Sequence, residues 1–191
     1  MTPPRPVAQY LPAGNERVFG VLHEPDAAAA RAGAVLLLAP FGWEESASYR
    51  TRRLWAADLA HRGLWVLRID LPGTGDSTGV PGDPGLLAAW IAAVGAAGTW
   101  LQDRSRAQRL AVVGLALGGL LAMEAIGAGL AVDDLVLWAV PRRGRTLVRE
   151  MRAFARLQKG TVPASGEDGG SLEVGATCSL RRPSPDSRRS T

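Results

Sequence analysis

Cysteine is nearly absent. Cys178 is the only one in 191 residues, which excludes an internal disulfide framework, and no Cys/His cluster has zinc-ligand spacing. Long apolar runs are absent as well. The longest clean one, Ala34-Val35-Leu36-Leu37-Leu38-Ala39-Pro40, has the length of a strand and falls far short of the ~20 residues that span a bilayer. The opening residues Met-Thr-Pro-Pro-Arg-Pro lack the apolar stretch of a secretory signal, so a cytoplasmic protein is expected. Histidine is limited to His23 and His61, and lysine to Lys159. The net charge of +4 is therefore carried by arginine, which with abundant Ala, Gly and Pro resembles the coding bias of a GC-rich genome. The basic residues do not form one block and are not interleaved with aromatics, so neither nucleic acid nor a membrane is an expected partner. No metal or cofactor is expected either.

What remains is the pattern of one soluble globular domain, 47% hydrophobic and 21% charged. Residues 1–16 are proline-rich and read as an irregular lead. Arg17 to His23 reads as a strand, closed by the turn residues Glu24-Pro25-Asp26. The continuous apolar run from Ala34 marks a strand buried on both faces of a parallel sheet. After Pro40–Glu45, read as a loop, a helix is expected over Tyr49 to Arg62, stopped by Gly63. Leu64 to Asp70 is the next strand, and Leu71 to Gly79 a loop dense in turn formers. A helix over Pro84 to Asp103, a strand at Leu110 to Gly114 and a helix ending near Gly127 or Gly129 follow. A strand at Leu135 to Val140 and a helix over Arg142 to Leu157 complete the series. This alternation predicts an α/β fold, a doubly wound, mostly parallel sheet with helices on both faces. Such sheets work at the C-terminal ends of their strands, where the loops at Pro40, Leu71 and Gly114 should converge.

Val112-Val113-Gly114-Leu115-Ala116-Leu117-Gly118-Gly119 has the frame of a nucleophile elbow, G-x-S-x-G between strand and helix. Gly114 and Gly118 let strand and helix approach closely, the residue between them takes a strained conformation, and the next N–H, Leu117, faces a developing oxyanion from a helix N-terminus. With Leu37-Leu38-Ala39-Pro40-Phe41-Gly42-Trp43-Glu44-Glu45, Tyr49-Arg50, the loop Asp70-Leu71-Pro72-Gly73-Thr74-Gly75-Asp76-Ser77 and Leu137-Trp138-Ala139-Val140-Pro141, the chain resembles the α/β-hydrolase superfamily. Within it, the likeness is to the bacterial serine-aminopeptidase-like and exosortase-associated branch, over residues 17 to 158. The resemblance implies hydrolysis of an ester, thioester or amide through an acyl-enzyme, with a second oxyanion donor at the N–H of Phe41 or Gly42. Phe41 itself reads equally as a core aromatic or a pocket wall. Asp70, Asp76 and Ser77 are expected to order their loop by Asx-type hydrogen bonds.

The same comparison of motifs shows a vacancy. Position 116, the nucleophile's place, holds alanine, and a methyl group cannot attack a carbonyl. Both histidines precede the elbow, whereas the family's order is nucleophile, acid, histidine. The residues from 159 to 191, rich in Gly, Ser, Pro and Arg, are expected to be disordered. They stand where the family carries a cap and two further strands, so the sheet is expected to lack its C-terminal strands. The expected function is that of a hydrolase relative without catalysis. The alternatives are a non-catalytic module for a small acyl-type ligand or a partner, and a frameshifted remnant of an active hydrolase. An unpaired strand at Leu135–Val140 would further permit self-association through the sheet edge.

Overall fold

The computed structural model describes residues 6–26 and 32–159, with side chains through 153, and the backbone of two short strands beyond. Among the described residues the elements run β1 (Val7–Ala13), β2 (Glu16–His23), β3 (Gly33–Leu38), α1 (Trp43–His61), β4 (Trp65–Ile69), α2 (Leu86–Ser105), β5 (Arg109–Leu115), α3 (Leu117–Gly127), β6 (Asp134–Trp138), α4 (Gly144–Lys159), β7 (Ser171–Glu173) and β8 (Ser179–Arg181). Six strands form one sheet in the order β1-β2-β4-β3-β5-β6. The β1–β2 and β2–β4 pairs are antiparallel, and β4, β3, β5 and β6 are parallel. This is a mixed, mostly parallel α/β sheet of the expected kind.

The apolar strands explain the layering. Ala34, Leu36 and Leu38 of β3 pack with Leu67, Leu110 and Val112 into the larger core, which α2 completes through Trp90, Val94 and Leu101, and α3 through Leu121 and Ala125. The alternate residues Val35 and Leu37 turn to the opposite face and meet Val66 and Ala56 of α1. Because β3 is apolar on both faces, it can only be central, and it lies between β4 and β5.

Two expectations need correction, and a third falls mostly outside the described residues. The lead was read as irregular to residue 16, yet Val7–Ala13 is a strand whose register runs Val7 against Leu22 through Ala13 against Glu16. Leu11 and Ala13 are buried on the core side, Gly14 turns the hairpin at φ 62°, and Pro12 is tolerated because β1 is an edge strand. The loop read over Pro40–Glu45 ends early, since α1 begins at Trp43. Glu44 and Glu45 occupy its first turn, where the helix dipole favours carboxylates. Finally, the stretch from 159 onward lies outside the described residues except for Lys159 in α4 and an antiparallel pair, Ser171–Glu173 against Ser179–Arg181. That pair is separate from the main sheet. Its alternating Ser-Leu-Glu and Ser-Leu-Arg triplets suit a short ladder.

At the far edge β6 pairs only with β5 among the described residues. All five of its residues are exposed, Leu135, Val136, Leu137 and Trp138 by 38–60%.

Candidate functional site

The turn from β5 into α3 is built by absent side chains. A Cβ on Gly114 would collide with the backbone of Gly119, and one on Gly118 would come within 2.5 Å of the Ala39 carbonyl. One on Gly119 would strike Val140. Glycine at these positions lets α3 begin directly against the ends of β3, β5 and β6. Ala116, between strand and helix, has φ 46° and ψ −111°, a conformation that side chains rarely adopt. It is held from both sides: its N–H donates to the Trp138 carbonyl at 2.9 Å, and its own carbonyl accepts from Gly119 and Leu120. Leu117 opens α3, so its N–H has no intrahelical acceptor.

The loop after β3 meets this corner. Phe41 is buried and stacks at a tilt on Trp90 of α2, ring centroids 5.3 Å apart, and Gly42 caps α1 at φ 69°. Phe41 and Leu117 line one cavity of about 850 Å³ with Leu86, Trp90, Leu121 and Met151. Both readings of Phe41 therefore hold at once, since it belongs to the core cluster and walls the cavity. The lining includes two carboxylates, Asp83 and Glu124. The sequence reading named neither, nor the part played by α4, whose Leu147, Val148 and Met151 close one side. The alternation of apolar and basic residues in α4 was the available signal.

The loop after β4 is braced as its composition suggested. The Asp70 carboxylate accepts the Asp76 N–H (3.1 Å), and the Ser77 hydroxyl donates to the Asp70 carbonyl (2.7 Å) while accepting the Phe19 N–H (2.8 Å). Trp90 Nε1 donates to the Pro72 carbonyl, tying the loop to the cavity wall. Burial raises the Asp70 carboxyl above the usual aspartate range, against the hydrogen bond from Asp76. Beneath the loop, on the α1 face, Arg52 pairs with Glu45 at 2.5 Å, and the buried Arg68 lies 5.4 Å from the Tyr49 ring centroid.

Neither histidine reaches the elbow. His23 pairs with Val66 at the start of β4, and His61 ends α1 just before that strand. Both thus sit at the N-terminal edge of the parallel strands, opposite the end that carries Ala116. No cluster of potential metal ligands occurs among the described residues.

A family profile described as "Alpha/beta hydrolase family" matches residues 8–186. The chain belongs to the alpha/beta hydrolase family. No curated protein matches it. Solved structures of the same fold include a serine hydrolase without lid from Xanthomonas campestris, at 20% identity and TM-score 0.61 over 74% of this chain and 64% of that one. Est1E from Butyrivibrio proteoclasticus, with ferulic acid bound, aligns at 17% identity and TM-score 0.59 over 91% of this chain and 67% of its own. A proline iminopeptidase from Mycobacterium smegmatis aligns at 21% identity and TM-score 0.55 over 82% and 50%. The chain spans 60–64% of the length of the first three structures it matches.

Proposed function

We propose that this hydrolase-family chain binds an acyl ligand, a carboxylic acid or ester with an apolar tail, without hydrolysing it. The observation that carries this reading is an elbow of full geometry with alanine at its apex, opening beside a large apolar cavity. The Leu117 N–H, at the positive end of α3, and the N–H of Phe41 or Gly42 would hold the carbonyl or carboxylate oxygen. The tail would lie between α2, α3 and α4, against Trp90, Leu121 and Met151. Ala116 offers no nucleophile, and neither described histidine lies near enough to activate a water or another hydroxyl. Substrate positioning would thus persist without chemistry. Est1E, which has the same fold, holds ferulic acid, an acid that joins a planar apolar body to a carboxylate in the same way.

The test pairs turnover with binding. The purified chain should give no enzymatic hydrolysis of short p-nitrophenyl esters, while ferulic acid or a fluorescent fatty acid binds saturably. Leu120→Trp, which fills the cavity, should abolish that binding. Turnover of about 1 s⁻¹, a rate within the ordinary enzyme range, removed by one substitution, would refute the non-catalytic reading. Failure of both ligands to bind, or binding unaffected by Leu120→Trp, would refute the ligand reading.

A further inference from the structure

The arginines that look scattered in the sequence are gathered by α4. From Arg142 to Lys159 there are seven cations and one carboxylate, Glu150, a net +6 that exceeds the +4 of the whole chain. Positions 145, 149, 152, 156 and 159 recur at helical spacing and share one face of α4. Arg142, Arg143, Arg145, Arg149 and Arg152 are all exposed. None of the five pairs with a carboxylate among the described side chains. Arg145, Arg149 and Arg152 border a surface groove of about 500 Å³ floored by Val148 and Ala153. Val148 also lines the apolar cavity, so a single side chain separates the arginine groove from the ligand space.

We propose that this face of α4 docks on an anionic lipid surface, with Arg145, Arg149 and Arg152 engaging headgroup phosphates and Arg142 and Arg143 flanking them. Charge complementarity selects an anionic partner, because a row of unpaired guanidinium groups repels itself until phosphates lie against it. The apolar floor selects a bilayer over a nucleic acid. A polynucleotide groove interleaves arginine with aromatic platforms for the bases, and this groove is lined by none. Docking would be peripheral, since no described helix is long and apolar enough to cross a membrane. It is also independent of what the cavity holds.

The experiment is co-sedimentation of the full chain with vesicles of phosphatidylcholine alone and of phosphatidylcholine mixed with phosphatidylglycerol. Binding is expected only to the mixed vesicles and should weaken as salt rises. The triple variant Arg145→Gln/Arg149→Gln/Arg152→Gln should weaken it about 100-fold, the loss that follows from withdrawing three surface cations from an anionic leaflet. The corresponding triple lysine variant should retain most of it, and an unchanged melting curve for both variants shows that the fold is intact. Equal binding to neutral vesicles, an unaffected glutamine variant, or binding to a single-stranded oligonucleotide with none to vesicles would each overturn the proposal. So would binding to neither.

Discussion

His23 allows a quantitative test of how the sheet is held. It ends β2, is 3% exposed, and its Nε2 lies 3.5 Å from Arg68 Nε, whose N–H it accepts. That role requires a neutral ring with its proton on Nδ1. Burial first, then the Arg68 and Arg53 cations, push its pKa from 6.5 down to about 4. Between those values the unfolded chain holds a proton that the folded chain refuses, so stability falls as the solution is acidified. The contribution is complete above pH 6.5 and gone by about pH 4, and a displacement of this size corresponds to about 3 kcal/mol. His23→Gln keeps an acceptor toward Arg68 but does not titrate. Urea unfolding of both proteins across pH 7.5 to 4 should show the wild type losing about 3 kcal/mol more than the variant. Asp70 works in the opposite direction, because burial raises its carboxyl and favours the folded state in acid. It is present in both proteins and cancels in the difference. Parallel pH dependences, or an NMR titration placing His23 above pH 6, would refute the reasoning.

Other substitutions probe the elbow and the edge. Gly114→Ala drives a methyl into the backbone of Gly119 and should cost about 3 kcal/mol in denaturant unfolding, at the upper end for overpacking that cannot relax. Ala116→Gly should instead stabilise the fold by about 1 kcal/mol, because glycine relieves the strain at φ 46°; a loss in thermal unfolding would contradict the strain argument. Ala116→Ser should remain unreactive toward a fluorophosphonate probe, for want of a base, and stoichiometric labelling would reveal one. The exposed edge of β6 should drive association at micromolar concentration, and Val136→Lys should restore a monomer by light scattering. A wild type that is monodisperse over days would show that edge to be covered.

Much of this molecule is legible in local pattern. A strand apolar on both faces, as at Ala34 to Leu38, has nowhere to lie but the middle of a parallel sheet. Gly114 and Gly118 at their spacing imply a close strand-to-helix turn, and β5 and α3 meet in one there. These inferences succeed because each depends on neighbours in the chain. Those that failed or could not be made depend on distant partners. Val7–Ala13 contains a proline and four of its seven residues are exposed, so only the hydrogen bonds offered by β2 make it a strand. The cavity exists because Phe41, Trp90, Leu121 and Met151 come from four separate segments and leave space where they meet. His23 and Arg68, 45 positions apart, become one buried pair through the antiparallel register of β2 and β4. The charge of α4 is written in its composition, but burial of Met151 on one face settles which side the arginines present to solvent. Most secondary structure follows from nearby residues, whereas cavities, buried pairs and surfaces arise where distant segments pack, and tertiary structure alone decides them.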